Sequence, residues 1–245
     1  MKQTELIMGM PVTVEIRGKA NSNSFKMAFD YFKQIDNRYS TYKHGSEISR
    51  INRGLAKKQW SSEMARVLRL CEQTKRQTNG YFDINHNGQL DPSGLVKGWA
   101  INNAAELLRH AGIEDFSIEA GGDIQVNVGP GNEPWLVGIR SPFNIEEIIK
   151  TLEIRSEGVA TSGTYIRGQH IYNPLNTSDD IKEVRSLTVI GSDIYEADRF
   201  ATAAFAMGRA GISFIESYPG LEGYMITEDE IATYTSGFER FVADV

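Results

Sequence analysis

Two oxygen-bearing side chains, four residues apart on a predicted helix, carry the clearest chemical signal in this sequence. Asp198 and Thr202 share one helix face, because residues four apart lie one above the other. Alanine and phenylalanine surround them, so that face is predicted to be buried, where a lone carboxylate is costly. Mg²⁺ would satisfy it, with Thr202 adding an oxygen ligand. The spacing equally allows Asp198 to pair with Arg199 or another cation, and Thr202 to bond back to its helix.

The segment Asp91–Ala100 contains a second set of residues that could bind a ligand. Gly94 and Gly98 would let the backbone approach a ligand closely, and the helix predicted to follow would offer free amide groups. Lys97, near that helix start, would neutralise a phosphate. The spacing of a Walker loop is absent. An ordinary loop with a solvent-exposed lysine is therefore the alternative.

Two further segments could contribute a turn and a proton acceptor. Gly121 and Gly122 interrupt a strand-like run, which suggests either a bulge or a ligand pressed against the backbone. His170 precedes Ile-Tyr-Asn-Pro and could act as a general base near neutral pH, although a structural histidine fits the same spacing. The other histidines lie in polar or helix-end contexts typical of surface residues; they are His44, His86 and His110.

The sequence lacks several motifs that would assign it to other enzyme classes. It has no GxGxxG after a strand, no GxSxG and no HExxH. A dinucleotide-binding Rossmann unit, an α/β-hydrolase nucleophile and a zincin metal site therefore have no support.

The helices and strands predicted to position these residues do not follow a regular βαβ order. Apolar spacing predicts helices at about 22–39, 61–78, 97–110, 193–207 and 211–217. It predicts strands at about 5–17, 116–128, 135–139, 148–155, 158–161, 187–190, 222–227 and 231–235, with 80–98 irregular. This order predicts an α+β fold with a mostly antiparallel sheet and packed helices, in a single domain over 1–245.

Composition indicates which partners and which cellular compartment to expect. The chain has 245 residues, a formal net charge of −6 and no basic block, so nucleic acid is not an expected partner. One cysteine, Cys71, excludes an intramolecular disulfide, and its apolar helical neighbours predict a buried thiol. No apolar run is long enough to span a bilayer, and no export signal is visible. We therefore expect a cytoplasmic protein, with an exported protein whose signal has been removed as the alternative.

Nine motifs in order, each weak alone, resemble the ApbE family of FAD:protein FMN transferases. The resemblance runs from about residue 7 to 235. The motifs are Met8–Met10, Tyr39–Tyr42, Ser46–Asn52, Gly80–Asp83, Asp91–Ala100, Gly121–Asp123, Thr161–Tyr165, His170–Pro174 and Ala197–Ala203.

This resemblance implies an α+β domain that binds FAD and Mg²⁺ in a cleft. Such an enzyme transfers FMN to a threonine or serine of a target protein as a phosphoester and releases AMP. By motif, the metal would be held by Asp198, Thr202 and the carbonyl of Gly94. His170 would activate the acceptor hydroxyl, with Lys97 as the second catalytic residue. The positions expected to contact FAD are Met8, Ser40, Thr41, Tyr42, Asp83, Asp91, Lys97 and Ile171.

The sequence departs from the family pattern in four places. Asn102 stands where aspartate is common, Tyr172-Asn173-Pro174 where Ile-Asp-Pro is common, and Asp123 where asparagine is frequent. The stretch between Asp83 and Asp91 is short. These changes do not affect the predicted helix that carries Asp198 and Thr202. They affect how the adenine end of FAD would be bound and which acceptor would be used. Two rival activities remain: an FAD pyrophosphatase giving FMN and AMP, and a non-catalytic FAD-binding protein.

Overall fold

An eight-stranded antiparallel sheet organises the chain. The structure is a computed structural model that describes residues 1–18, 22–163, 172–176 and 181–244. Its strands are β1 (Lys2–Ile7), β2 (Met10–Ile16), β3 (Asn85–His86), β4 (Gln89–Leu90), β5 (Phe116–Ala120), β6 (Asp123–Asn127), β7 (Trp135–Arg140), β8 (Ile148–Ile154), β9 (Gly158–Gly163), β10 (Val184–Gly191), β11 (Glu222–Thr227) and β12 (Ala232–Tyr234). The large sheet has the order β1-β2-β5-β6-β9-β10-β11-β12, and β3-β4 and β7-β8 form separate hairpins.

Within the described residues, six α-helices accompany these strands. They are α1 (Ser22–Tyr39), α2 (Glu47–Asn52), α3 (Ser62–Gln77), α4 (Ser93–His110), α5 (Ile194–Ala206) and α6 (Gly211–Glu216). Serine or aspartate caps three of them, because each side chain accepts a hydrogen bond from an unpaired amide in the first turn. The caps are Ser46 on α2, Ser61 on α3 and Asp193 on α5.

The two faces of the large sheet have separate hydrophobic cores. The larger core packs α1, α4 and α5 against one face, with Phe29, Ile101 and Phe200 fully or nearly fully buried. On the other face, Trp135 and Leu152 of the β7-β8 hairpin pack against the sheet. The helices, the large sheet and the β7-β8 hairpin thus form three successive layers. The charged residues described below lie between the sheet and helices α4 and α5.

Two-residue turns account for two interruptions that the sequence left ambiguous. The run 5–17 is a hairpin, since Met8 and Gly9 both take positive φ and connect β1 to β2. Gly121 and Gly122 likewise have positive φ and form the tight turn between β5 and β6. The bulge, one of the two alternatives for this pair, was therefore wrong, and the other, a ligand against the backbone, stays a prediction.

The α+β class and the mostly antiparallel sheet are confirmed, and the differences are local. The sequence missed α2 and the β3-β4 hairpin, which are both very short. Helix α4 begins at Ser93 rather than at 97, so Gly94 and Lys97 lie in its first two turns and not ahead of it. Within the described ranges, no helix is long and apolar enough to cross a membrane.

Candidate active site

One cleft brings together half of the site residues that the sequence predicted. Its volume, including the open mouth, is about 1100 Å³, which is large enough for a dinucleotide-sized ligand. It lies where α4, α5 and the turn between β5 and β6 meet the segment that follows α3. The predicted site residues that line it are Asp83, Asp91, Gly94, Lys97, Asp198 and Thr202.

A buried charge cluster forms the floor of this cleft. The ammonium of Lys97 on α4 forms an ion pair with Asp123, the first residue of β6. Its Nζ also lies 3.2 Å from Oδ1 of Asp198 on α5. Both carboxylates are almost completely buried, whereas Lys97 retains some access to solvent. The lysine is therefore a half-buried ion-pair partner, and the alternative of an ordinary loop with a solvent-exposed lysine was wrong.

Among the described residues, carboxylates outnumber cations in this cluster. Two carboxylates share one ammonium, which gives a formal charge of −1 when both carboxylates are ionised. Burial raises the pKa of Asp123; Lys97 opposes this shift, and the charge of Asp198 adds to it. The backbone amide of Thr161 donates to Asp123 Oδ1 at 3.2 Å. A site with excess buried negative charge favours a cation nearby.

Glycine at position 98 allows α4 and α5 to approach closely at the cluster. A Cβ on Gly98 would lie 2.6 Å from Cβ of Asp198 and 2.7 Å from the carbonyl oxygen of Ile194. The Gly98 amide donates to Oδ2 of Asp198 at 2.7 Å. An amide has a single hydrogen, so this bond competes with the usual helical bond to the carbonyl of Gly94. The family resemblance assigns the carbonyl of Gly94 to the metal.

The oxygen atoms available here fit Mg²⁺. Thr202 lies one turn after Asp198 and also faces the cleft, and its hydroxyl forms no hydrogen bond to any described residue. A Cβ placed on Gly94 would lie 3.3 Å from Cγ2 of Thr202, so the two residues are neighbours. A carboxylate, a hydroxyl and a carbonyl are hard oxygen ligands. In the described part of the chain, no three His, Cys, Asp or Glu side chains cluster as a metal site.

Asp198 pairs with a cation, as the alternative to metal binding predicted, but the cation is not Arg199. Arg199 does not pair with it; its guanidinium instead bonds Glu196 at 2.5 Å and Gln77 at 2.6 Å. The cation beside Asp198 is Lys97. Asp198 thus has an ion-pair partner but shares it with Asp123.

Asp83 and Asp91, expected to contact FAD, lie on the cleft wall. Lys75 holds Asp83 through an ion pair of 2.7 Å, and the amide of Asn85 donates to its other oxygen at 2.9 Å. Asp91 is exposed and accepts from the amide of Ser93 at 3.0 Å, just before α4. Both carboxylates are held by local contacts.

Other predicted site residues do not line this cleft. Met8 lies in the β1-β2 turn and packs partly against the core, and Tyr42 is 98% exposed. The carbonyl of Ser40 accepts from Ser46 Oγ at 2.7 Å, and that of Thr41 accepts from Ser49 Oγ at 3.3 Å. Their contact with a flavin stays a prediction. His170 and Ile171 lie outside the described residues, as do Thr164 and Tyr165.

Two residues of the site gave too weak a signal in the sequence. Asp123 followed a glycine pair that suggested only a backbone feature, yet it pairs with Lys97. His86 was expected to be a surface residue and is exposed, and it also lines the cleft and stacks on Tyr172. The Asn-Gly pair after His86 is a hairpin signal that could have located it.

A family model described as the ApbE family matches residues 8–87 and 85–225. The chain belongs to the ApbE family. The FAD:protein FMN transferase of Vibrio cholerae serotype O1 is 29% identical over 170 residues, which cover 63% of this chain and 50% of that protein. The enzyme of the same name from Rhodobacter capsulatus is 33% identical over 151 residues, or 58% of this chain and 28% of that protein. The chain spans half or less of the length of these curated relatives.

Solved structures of ApbE proteins share the fold over nearly the whole chain. The ApbE protein of Thermotoga maritima superposes with a TM-score of 0.87 at 21% identity, covering 100% of this chain and 99% of that one. The flavin transferase ApbE of Vibrio cholerae gives 0.84 at 22% identity, with 98% of both chains covered. These matches establish the ApbE fold.

Proposed function

We propose that this protein transfers FMN from FAD to a threonine or serine hydroxyl of a target protein, with Mg²⁺, and releases AMP. The observation that carries the proposal is the cleft that joins Lys97, Asp198, Thr202 and Gly94 in a chain of the ApbE family. Curated relatives are named for this reaction.

Asp198, Thr202 and the carbonyl of Gly94 would hold the metal. When bound, Mg²⁺ supplies positive charge that neutralises the pyrophosphate during phosphoryl transfer. The excess negative charge of the cluster supports this assignment, because a divalent cation would compensate it. Lys97 would add a second positive charge near the phosphates while it holds the two carboxylates in place.

The proposed reaction exchanges a phosphoanhydride bond for a phosphoester bond. The acceptor oxygen forms a bond to the FMN phosphorus, the anhydride bond to the AMP phosphate breaks, and AMP leaves with the electron pair of that bond. The hydroxyl proton needs an acceptor. The family resemblance assigns this role to His170, which lies outside the described residues. Positioning of the hydroxyl in line with the phosphorus would supply much of the rate.

Intact-mass measurement of an acceptor protein tests the proposal. The enzyme is incubated with FAD, Mg²⁺ and a protein that carries a family-type acceptor threonine, with the Thr→Ala acceptor as the control. We expect the acceptor to gain the mass of FMN less water, and the control to stay unlabelled. His170→Ala should retain FAD binding and slow transfer by about 10²–10⁴-fold, the usual effect of losing a general base.

The alternatives give different products. A pyrophosphatase would leave several acceptors unlabelled while free FMN and AMP accumulate. A non-catalytic binder would keep FAD intact after Mg²⁺ is added. Either outcome would overturn the transfer proposal.

A further inference from the structure

Two stacked rings on the cleft wall are not explained by the charge cluster. The imidazole of His86 and the phenol ring of Tyr172 lie 4.3 Å apart between centroids, with 22° between their planes. Both residues line the same cleft as Lys97 and Asp198. His86 is exposed, so its ring is accessible to a ligand.

A short hairpin fixes the position of His86. His86 ends β3 and pairs with Gln89, and the two residues between them both take positive φ, as a tight two-residue turn requires. The hairpin is clamped at its base by Asn52 of α2. Its side chain donates to the carbonyl of Leu90 at 3.0 Å and accepts from the Leu90 amide at 2.8 Å.

Tyr172 is anchored on the same wall. Its hydroxyl donates to the carbonyl of Asp83 at 3.0 Å, with the carbonyl of Asn85 at 3.3 Å. Three residues later, Leu175 packs against Gly80, where an added Cβ would lie 3.3 Å from Cδ2 of Leu175. The stacked pair therefore stands on the segment that follows α3, and both rings are held before any ligand arrives.

We propose that the His86–Tyr172 pair is a stacking platform for a heteroaromatic ring of the nucleotide bound in this cleft. A stacked aromatic pair that opens onto a cleft with a cationic phosphate-binding side chain matches a ligand that joins a planar ring to phosphates. The flavin and the adenine of FAD share this chemistry, and the experiment distinguishes them. The proposal rests on FAD as the substrate and adds a binding contact to the proposed function.

Binding of FAD, FMN and AMP is compared between the wild-type protein and four variants by titration calorimetry. His86→Ala and Tyr172→Leu remove a ring, whereas His86→Phe and Tyr172→Phe keep a ring at each position. We expect each ring-removing variant to weaken FAD binding about 5- to 100-fold, the range expected for one lost stack. The ring-keeping variants should bind FAD within about threefold of the wild type, because stacking tolerates a change of ring.

The single nucleotides show which ring uses the platform. Weaker AMP binding with unchanged FMN binding assigns the platform to adenine, and the opposite result assigns it to the flavin. If His86→Ala and Tyr172→Leu bind all three ligands as tightly as the wild type, the platform proposal is wrong. Equal losses in His86→Phe and His86→Ala would also overturn it, because imidazole hydrogen bonding rather than stacking would then explain the effect.

Failure of the platform differs from failure of the proposed function. A wild-type protein that binds neither FAD, FMN nor AMP contradicts both proposals. A wild-type protein that binds FAD, with variants that bind it equally, contradicts the platform alone. Unfolding midpoints of the four variants, measured in urea, show whether a loss of binding follows a loss of fold.

Discussion

At the scale of single residues, the chemistry of the cleft depends on a lysine shared by two buried acids. Lys97 contacts Asp123 and Asp198 from α4, and neither acid has another cationic side chain within ion-pair distance among the described residues. Removing one member of a buried ion pair leaves an unpaired charge in a medium that solvates it poorly. Lys97 is thus expected to affect stability as well as binding.

A double-mutant cycle tests this role of Lys97. We expect Lys97→Met to lower the free energy of unfolding by about 3 kcal/mol, because two carboxylates lose their common cation. In an Asp123→Asn background the same change should cost less, with a coupling energy of about 1–3 kcal/mol. Urea unfolding of the two single variants and the double variant measures this. Additive effects would show that the two side chains do not interact as described.

The metal assignment makes a prediction for Asp198. Asp198→Asn keeps an oxygen that accepts from the Gly98 amide but loses the negative charge that favours Mg²⁺. We expect a folded protein in which Mg²⁺-dependent FAD turnover is abolished. Asp193→Asn, the same charge change at the start of α5, is the matched control, since asparagine also caps helices and Asp193 lies outside the cleft lining. Wild-type turnover by Asp198→Asn would contradict the assignment.

At the scale of elements, the crossing of α4 and α5 decides the geometry of the site. The two helices touch at Gly98, where any side chain would overlap Asp198 and the backbone of Ile194. This contact brings the start of α4, with Gly94 and Lys97, against the face of α5 that carries Asp198 and Thr202. The site therefore depends on a small residue at the crossing.

Replacing Gly98 by alanine should reverse the usual effect of such a change. In an unobstructed helix, Gly→Ala stabilises by up to about 1 kcal/mol. Here we expect a net loss of about 1–3 kcal/mol, because the new methyl group overpacks the crossing. Gly94→Ala should cost less, because its methyl group would lie 3.3 Å from Cγ2 of Thr202 and 3.4 Å from Cε2 of Phe82, with no contact below 3 Å. Urea unfolding compares the two variants, and a Gly98→Ala protein as stable as the wild type would contradict the crossing geometry.

At the scale of the whole molecule, the single cysteine reports on global unfolding. Cys71 lies on α3 and is 2% exposed, and burial raises the pKa of its thiol to about 12. The thiolate is the reactive form, so the folded protein should have almost none at neutral pH. Reaction with a thiol reagent should therefore require opening of the helix layer.

We expect Ellman's reagent to label no thiol in the folded protein and one thiol per chain in denaturant. The control is Cys71→Ser with Gln73→Cys, which moves the thiol to an exposed position on the same helix and should react at once. Rapid labelling of native Cys71 would show that α3 opens locally without global unfolding.

The sequence alone determined those features that depend on local periodicity. Asp198 and Thr202 share a face because a helix repeats every 3.6 residues, and the apolar spacing located α1, α3 and α5 within a few residues. Alternation of apolar residues likewise located most strands, and their order predicted the α+β class. The ordered motifs also predicted the family, which the family model confirms.

Only the tertiary structure showed which residues far apart in the sequence contact each other. Gly94 and Gly98 disfavour a helix locally, so the sequence placed the start of α4 too late; the crossing with α5 stabilises a helix there and requires glycine. The bond from Gly98 to Asp198 joins residues 100 positions apart. No local pattern encodes such a pairing, because it arises only when the helices pack on the sheet. Asp123 joined the site for the same reason: the hairpin turn before it carries its carboxylate to Lys97.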